Sequence, residues 1–178
     1  MLRNSTTQYG IISKSLHWLL FILIAGLLLS GLIAEDLGEE LEDVVMGLHT
    51  AIGVAVLMLV IVRLLWRVSN PVPALPADTK PLESLLARVT HFGLYLLMLA
   101  QPLTGLLMMQ FEGHTVDIFG IFSIAPLVAK DKPTGHLFEE LHETGWILLA
   151  VLVTLHIIAA LYHHFIRKDE VMRRMTSG

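Results

Sequence analysis

Long apolar runs separated by short charged segments make up most of this chain. Four stretches contain no Asp, Glu, Lys or Arg: Ser15–Ala34, Val44–Val62, Val89–Phe111 and Thr144–Ile166. An α-helix rises about 1.5 Å per residue, so about 20 residues cross a hydrocarbon core of ~30 Å. Each stretch is therefore long enough to span a bilayer. We predict four transmembrane helices, at about residues 10–34, 44–67, 84–111 and 138–167.

The composition excludes an ordinary soluble domain. Hydrophobic residues make up 54% of the 178 residues, charged residues only 16%, and the mean hydropathy is +0.69. A soluble core would need four helices that are apolar on every side, which so small a protein cannot bury. The first apolar run is also longer than the core of a signal peptide, about 7–15 residues. The prediction is one all-α domain over residues 1–178, an integral membrane up-down-up-down four-helix bundle.

Two connections between the helices have distinctive sequences. The second, "SNPVPALPADTKP", carries four of the seven prolines and predicts a non-helical strap over residues 69–81. The third runs from about Glu112 to Glu140 and contains the apolar stretch "TVDIFGIFSIAP". An exposed flexible loop is a poor match for that stretch, and we expect a lid over the outer helix ends. Pro102 predicts a kink in the third helix.

The charges predict the orientation of the bundle. Ten of the twelve basic residues lie in the two tails, the strap and its flanks, whereas the other connections hold only Lys130 and Lys132 and twelve acidic residues. Because basic residues mark the cytoplasmic side, both termini should be cytoplasmic and the acidic connections outside. We expect a multi-pass protein of the bacterial inner membrane, with the lipid bilayer and no nucleic acid among its partners.

Nine histidines are many for a membrane protein, since ionisable groups within spans are costly and usually functional. His114 and His136 lie in the outer connection and are interpreted as surface residues. The chain has no cysteine, which excludes disulfides, thiolate iron–sulfur clusters and covalently attached haem. Haem b remains compatible, because histidine alone can hold it.

His142 and His156 lie on the same predicted helix, fourteen residues apart. At about 100° and 1.5 Å per residue, their side chains face within about 40° of each other but differ by about 21 Å in height. One metal ion cannot use both imidazoles. The spacing predicts two stacked metal sites, each completed by a histidine from another helix.

His49 of the second helix matches His142 in depth near the outer face. His17 of the first helix lies nearest the inner face, but depth alone favours His156 and His163 equally as its partner. Two axial imidazoles suit iron and leave no open position for small ligands, so sites of this kind transfer electrons. The residues alone leave the inner pair open.

Small and basic residues near the histidines extend this interpretation. Gly53 lies one turn beyond His49 and Gly145 three residues beyond His142, where a flat macrocycle needs helix surface without side chains; glycines that pack membrane helices are the alternative. Arg63 lies on a similar face to His49 and is the predicted ligand of a haem propionate. Anchoring on the positive side of the membrane explains Arg63 equally well.

Three inner histidines are not used by this assignment: His91, His163 and His164. Adjacent His163 and His164 point about 100° apart, so both cannot face the bundle. Interfacial polar residues are one explanation. The other is a quinone site in which His91 and His163, with Lys168 as a weaker candidate, donate a hydrogen bond and relay a proton.

The chain resembles the bacterial cytochrome b561 family, which shares a dihaem four-helix core with the cytochrome b subunits of nickel hydrogenase and formate dehydrogenase. The resemblance runs nearly end to end and rests on four segments: "YGIISKSLHWL", "LHTAIGVAVLMLVIVRLLWR", "HFGLYLLMLAQPLTGLLM" and "LHETGWILLAVLVTLHIIAALYHHFIRKDEVMRRM". It implies two bis-histidine haems b, with the ligands on helices one, two and four. Carried over, these are His17, His49, His142 and His156, and the resemblance selects His156 for the inner pair.

The expected function is therefore electron transfer between a periplasmic donor and ubiquinone or another membrane quinone. Three alternatives remain: a cytochrome b membrane-anchor subunit of a larger dehydrogenase, a superoxide:ubiquinone oxidoreductase, and a histidine-rich metal or proton transporter without haem. The resemblance suggests superoxide as the donor. The outer connections, whose twelve acidic residues and two lysines give a net formal charge of −10, instead favour a neutral or cationic donor.

Overall fold

The computed structural model describes residues 1–76 and 78–176. Four long helices make up most of it: α1 (Ile11–Ile33), α2 (Glu39–Val68), α3 (Pro81–Glu112) and α4 (Lys132–Leu161). Each is long and apolar enough to cross a membrane, in two cases together with the helical turn that follows it. Consecutive helices pack against one another, and α3 and α4 form the largest contact. The predicted all-α class with four membrane spans is confirmed.

Two helices begin five or more residues before their predicted positions. Helix α2 begins at Glu39, five residues before the predicted position 44, and its first turn includes Glu40 and Glu42. Negative charge at a helix N-terminus is stabilised by the partial positive charge of the unpaired backbone N–H groups. Helix α4 begins at Lys132 rather than at 138, with Pro133 in the first turn, where a missing N–H costs nothing. Hydropathy does not detect such charged first turns.

A β-hairpin follows α3. Strand β1 (Val116–Ile118) pairs antiparallel with β2 (Phe122–Ile124) around a turn at Phe119 and Gly120, both with positive φ. Val116 and Ile118 are buried, and β1 packs against α2. The apolar connection therefore covers part of one end of the bundle, the end predicted to face outward.

The tails and the strap join at the opposite end. Asn4 donates to the Pro71 carbonyl at 3.0 Å, and the Ala74 backbone N–H donates to the Thr6 carbonyl at 3.2 Å. The C-terminal segment closes over them, because the Trp18 indole N–H donates to the Met175 carbonyl at 3.0 Å. The described strap residues, 69–76 and 78–80, form neither helix nor strand.

A layer of apolar side chains from all four helices lies at mid-height in the bundle. Its buried members are Leu20, Ile24, Val56, Val60, Leu94 and Leu149. Leu149 is seven residues from both His142 and His156, so the layer separates two histidine levels. Many apolar side chains point outward instead, for example Ile22, which is 64% exposed. An apolar exterior with a tightly packed centre is the pattern of a bundle that faces lipid.

Candidate functional site

The two histidines of the predicted outer pair face each other across the bundle. The ring centroids of His49 on α2 and His142 on α4 lie 6.2 Å apart. An imidazole nitrogen lies about 2.0–2.1 Å from a bound metal ion, so two imidazoles on opposite sides of one ion have centroids about 6.4 Å apart. The spacing of this pair would suit one metal ion held between the two rings.

Both outer imidazoles are held through Nδ1. The Ser30 hydroxyl donates to the Leu27 carbonyl at 2.9 Å, so its oxygen accepts from His49 Nδ1, 2.8 Å away. His142 Nδ1 donates to the Gln101 backbone carbonyl at 2.9 Å. A neutral imidazole that donates from Nδ1 has an unprotonated Nε2, the tautomer a metal ligand needs. The outer pair therefore presents two ligating nitrogens with fixed ring orientations.

Helix α3 supplies the space for the His142 ring. A Cβ atom at Gly105 would lie 3.1 Å from His142 Cε1 and 3.2 Å from Nδ1, closer than side chains normally pack. The Thr104 hydroxyl donates to the Gln101 carbonyl at 2.9 Å and lies 3.2 Å from His142 Nδ1. The segment around Pro102 thus sets the orientation of His142 from the neighbouring helix.

The inner level contains three imidazoles. The ring centroid of His156 lies 6.1 Å from that of His17 and 5.4 Å from that of His91. The first distance matches the metal-bridged spacing as well as the outer pair does. His163, the other inner candidate on depth, instead contacts Asp169 through Nδ1 at 2.6 Å. The structure therefore brings His17 and His156 together.

Arg63 lies beside the inner level. Its Nη2 donates to His17 Nδ1 at 3.1 Å and its Nε donates to the Tyr95 hydroxyl at 3.1 Å, while Nη1 is buried with no hydrogen-bond partner among the described residues. Because arginine only donates, His17 here carries its hydrogen on Nε2. Ligation through Nε2 requires Arg63 to leave Nδ1. A buried, unpaired guanidinium N–H fits an anionic group such as a haem propionate.

The two glycines singled out from the sequence have different surroundings. A Cβ at Gly53 would meet no atom within 4 Å, which fits a surface open to a flat macrocycle. A Cβ at Gly145 would overlap the side-chain amide of Gln101, which donates to the His142 carbonyl at 3.2 Å. Gly145 therefore serves the packing of α3 on α4, the alternative considered for it.

A cavity of about 480 Å³ lies at the strap end of the bundle. His91 and Arg67 line it together with Tyr9, Arg88 and the strap residues Val72, Pro73, Leu75, Pro76 and Thr79. The ring contact between His91 and His156 links this cavity to the inner level. His163 and Lys168, the other predicted quinone residues, are not in its lining.

His163 belongs to an ion network beyond the end of α4. Arg167 pairs with Asp78 and Glu83, each at 2.6 Å, and with Asp169 at 3.5 Å. Partial burial alone would raise the pKa of Asp169, but the hydrogen bond with His163, a backbone N–H and nearby Arg167 together lower it. The network ties the strap, α3 and the C-terminal segment together.

The remaining predicted positions lie at surfaces. His114 contacts Glu112 at 3.6 Å and His136 contacts Glu139 at 3.0 Å, with both imidazoles mostly exposed. The His164 ring packs edge-on against Phe165, and Lys168 is exposed with a left-handed backbone.

Sequence reasoning missed the groups that hold the histidines. The Gln101 carbonyl is a backbone group, and the type of residue does not predict which backbone carbonyl accepts a hydrogen bond from a histidine. Ser30 and Gly105 appear in sequence as ordinary small residues of membrane helices. Antiparallel packing of the first two helices could have placed Ser30, nineteen residues before His49, at a similar depth, but it does not predict the hydrogen bond between them.

Comparison with known proteins adds evidence that does not depend on the geometry. A family model of prokaryotic cytochrome b561 matches residues 8–178. Cytochrome b561 homolog 2 of Escherichia coli (strain K12) is 33% identical over 176 residues, covering 97% of this chain and 93% of the relative. Cytochrome b561 homolog 1 of the same organism is 33% identical over 168 residues, 90% of this chain and 92% of the relative. A Yersinia pestis protein named probable superoxide oxidase CybB is 25% identical over 171 residues, 94% and 95% of the two chains.

Proposed function

Since the chain belongs to the prokaryotic cytochrome b561 family, we propose that this multi-pass membrane cytochrome binds two haems b and passes electrons from an outer donor to membrane quinone. Family membership implies haem b, and the four apolar helices imply a bilayer. Two haems, the quinone, the inner-membrane location and cytoplasmic termini are the finer parts of the proposal. The observation that carries it is the presence of two imidazole pairs with centroids 6.2 and 6.1 Å apart.

The proposed ligands are His49 and His142 at the outer level and His17 and His156 at the inner level. Within residues 1–76 and 78–176, no group of three or more His, Cys, Asp or Glu could hold a metal ion. Haem needs only two protein ligands, because the macrocycle supplies the other four. When bound, haem supplies reversible one-electron chemistry at each level.

The protein residues orient the ligands and keep the sites dry. Ser30 and the Gln101 carbonyl fix the outer imidazoles through Nδ1, and Gly53 leaves helix surface free beside His49. Arg63 is the proposed partner of an inner propionate, on the strength of its unpaired Nη1. The apolar layer between the levels excludes water from the path.

The cavity beside His91 is the proposed quinone site. At about 480 Å³ it is within the size range of small-molecule pockets, and Arg67, Tyr9 and His91 offer hydrogen-bond donors to quinone carbonyls. Reduction of a quinone to the quinol consumes two electrons and two protons. The electrons arrive singly from the inner level, and His91 lies between His156 and the cavity, where it can deliver a proton. His163, which is hydrogen-bonded to Asp169, and Lys168, which follows Arg167 in the chain, are kept as proposed secondary residues.

The test is an optical spectrum of the purified protein, reduced minus oxidised, with the haem extracted and counted and reduction by a soluble quinol followed. Two haems per chain with quinol-linked reduction support the proposal. A colourless protein would indicate the metal or proton transporter, and a stable dehydrogenase partner on purification would indicate an anchor subunit.

A second candidate is superoxide oxidation linked to quinone reduction. The Yersinia pestis relative is named a probable superoxide oxidase, which favours this donor. The outer charges oppose it: Asp43, one of the six acidic residues of "EDLGEELED", and Asp117 line an outer cavity of about 370 Å³ between α2 and the hairpin. We therefore favour a neutral or cationic periplasmic donor.

A further inference from the structure

The two histidine levels have opposite electrostatic surroundings. At the inner level, the guanidinium carbons of Arg63 and Arg67 lie 5.9 and 5.5 Å from the centroid of the Tyr95 ring, and Arg63 Nη2 lies 3.1 Å from His17 Nδ1. Arg63 Nε donates to the Tyr95 hydroxyl at 3.1 Å, a contact that does not involve Nη2, so Arg63 stays at this level when Nη2 leaves His17 Nδ1 for ligation. One permanent positive charge, that of Arg63, is thus placed beside the inner pair, and a second, that of Arg67, lies against the neighbouring Tyr95 ring.

At the outer level, oxygen acceptors rather than guanidinium groups lie beside the imidazoles. His49 and His142 each donate from Nδ1, to Ser30 Oγ and to the Gln101 carbonyl. Glu143 follows His142 directly in the chain, and within residues 1–76 and 78–176 no arginine is hydrogen-bonded to either imidazole. The hairpin and acidic first turn of α2 add negative charge at this end.

Both differences make the redox potential of the inner site higher than that of the outer site. An oxidised haem iron carries one more positive charge than a reduced one, so nearby guanidinium groups favour the reduced form. A hydrogen bond from the distal ring nitrogen to an acceptor makes the ligand more basic, which favours the oxidised form. Second-shell hydrogen bonding and local charge are among the main means by which proteins set haem potentials.

We propose that Arg63 and Arg67 make the inner level the higher-potential site, and that the Nδ1 hydrogen bonds of His49 and His142 make the outer level the lower-potential site. The inference rests on the proposed two-haem function and deepens it, because it names the residues that set the two potentials. Electrons that enter at the hairpin end settle at the strap end, beside the cavity. Each transfer moves one electron, which oxidises the outer site and reduces the inner site, and no proton accompanies it.

The test measures midpoint potentials in the full-length protein reconstituted in lipid. His142→Ala leaves the inner haem and His156→Ala the outer haem, so the two potentials can be measured separately. We expect the inner site to be favoured at least tenfold in electron occupancy, which for one electron corresponds to 59 mV. Equal potentials, or a higher outer potential, would overturn the proposal.

Single substitutions assign the cause. Arg67→Gln and Arg63→Gln should lower the inner potential and leave the outer one unchanged, while Arg63→Lys, which keeps the charge, should largely restore it. Ser30→Ala should raise the outer potential. Arg173→Gln, which removes an exposed arginine paired with Glu170, is the matched control and should move neither. If Arg63→Gln loses haem, Arg67→Gln alone decides, and an unchanged inner potential then refutes the charge effect.

The outcomes also separate this inference from the function on which it rests. Fewer than two haems in the unmodified protein would refute the proposed function itself. Two haems with the reverse order of potentials would leave that function intact and refute only the direction.

Discussion

His142 donates from Nδ1 to the backbone carbonyl of Gln101, 2.9 Å away on the neighbouring helix. A ring on α4 is thus oriented by the main chain of α3, and the contact is possible because Gly105 has no side chain. A change in how these two helices pack therefore changes the geometry of the outer site.

Gly105→Ala tests that coupling. The new Cβ would approach His142 Cε1 to 3.1 Å, so the ring must shift by a few tenths of an ångström. We expect weaker outer haem binding and an altered low-spin EPR signal, and Gly105→Val should remove the outer haem from most molecules. Gly26→Ala on α1 is the control, because a Cβ there would meet no atom within 4 Å. Equal behaviour of the two alanine variants would contradict the role of Gly105.

Alanine substitution of the four ligands should remove haem level by level. His49→Ala or His142→Ala should eliminate the outer haem and retain the inner, and His17→Ala or His156→Ala should do the reverse. The reason is that each metal loses one of its two protein ligands. Haem extraction and difference spectra measure the result. Two haems retained by His142→Ala would refute the assignment.

The quinone proposal predicts a kinetic defect without loss of haem. The double variant His91→Gln, His163→Gln should slow quinone-linked reoxidation of the haems about 10²- to 10⁴-fold, the usual contribution of a positioned proton donor. Most of the loss should come from His91, which lines the cavity, and little from His163, which is bonded to Asp169. His164→Gln is the control, since that ring packs on Phe165. Normal reoxidation in the double variant would place the quinone elsewhere.

Asp169 should stabilise the folded protein at neutral pH. Its pKa is lowered in the folded state, so its contribution is present above the ordinary pKa of an aspartate and is lost as pH falls through the lower folded value. Asp169→Asn should therefore reduce stability at pH 7 by about 1–3 kcal/mol, the usual range for a lost charged hydrogen bond. The difference from the unmodified protein should shrink only in strong acid.

Thermal unfolding in detergent at several pH values measures this effect. Glu170→Gln, which removes an exposed carboxylate from the pair with Arg173, is the matched control and should change stability by less than about 1 kcal/mol. A loss for Asp169→Asn that stays constant down to the lowest pH would contradict the pKa argument.

Haem reduction by superoxide should be slow in this protein. An anion approaching the outer end meets Asp43 and Asp117. The nearby Lys130 packs against Gly113, which lies eight residues and thus about 12 Å along α3 from Gly105, where the His142 ring lies. Raising the salt concentration should speed the reaction by screening repulsion. Stopped-flow measurements of the rate of haem reduction by superoxide at several ionic strengths test this prediction. A near-diffusion-limited rate that falls with salt would show an attractive entry point and would favour superoxide as the donor.

The four spans were predictable because each is a long charge-free run, and that signal survives any tertiary arrangement. The first turns of α2 and α4 were not, since charged residues at helix N-termini resemble loop residues in a hydropathy pattern. The hairpin strands have three residues each, too few for alternation to show. The His17 partner was ambiguous because depth along single helices ignores how helices tilt and pack.

The apolar layer at Val60 and Leu149 also places the two histidine levels at different electrical depths in the membrane. Their separation along α4 is about 21 Å, about two-thirds of a hydrocarbon core of ~30 Å. In the proposed orientation, an electron crossing this layer moves toward the negative side of an energised membrane. A full crossing against 100 mV costs about 2.3 kcal/mol, so this passage costs about 1.5 kcal/mol. Electron delivery to quinone should therefore slow as the membrane becomes more polarised and quicken when it is discharged.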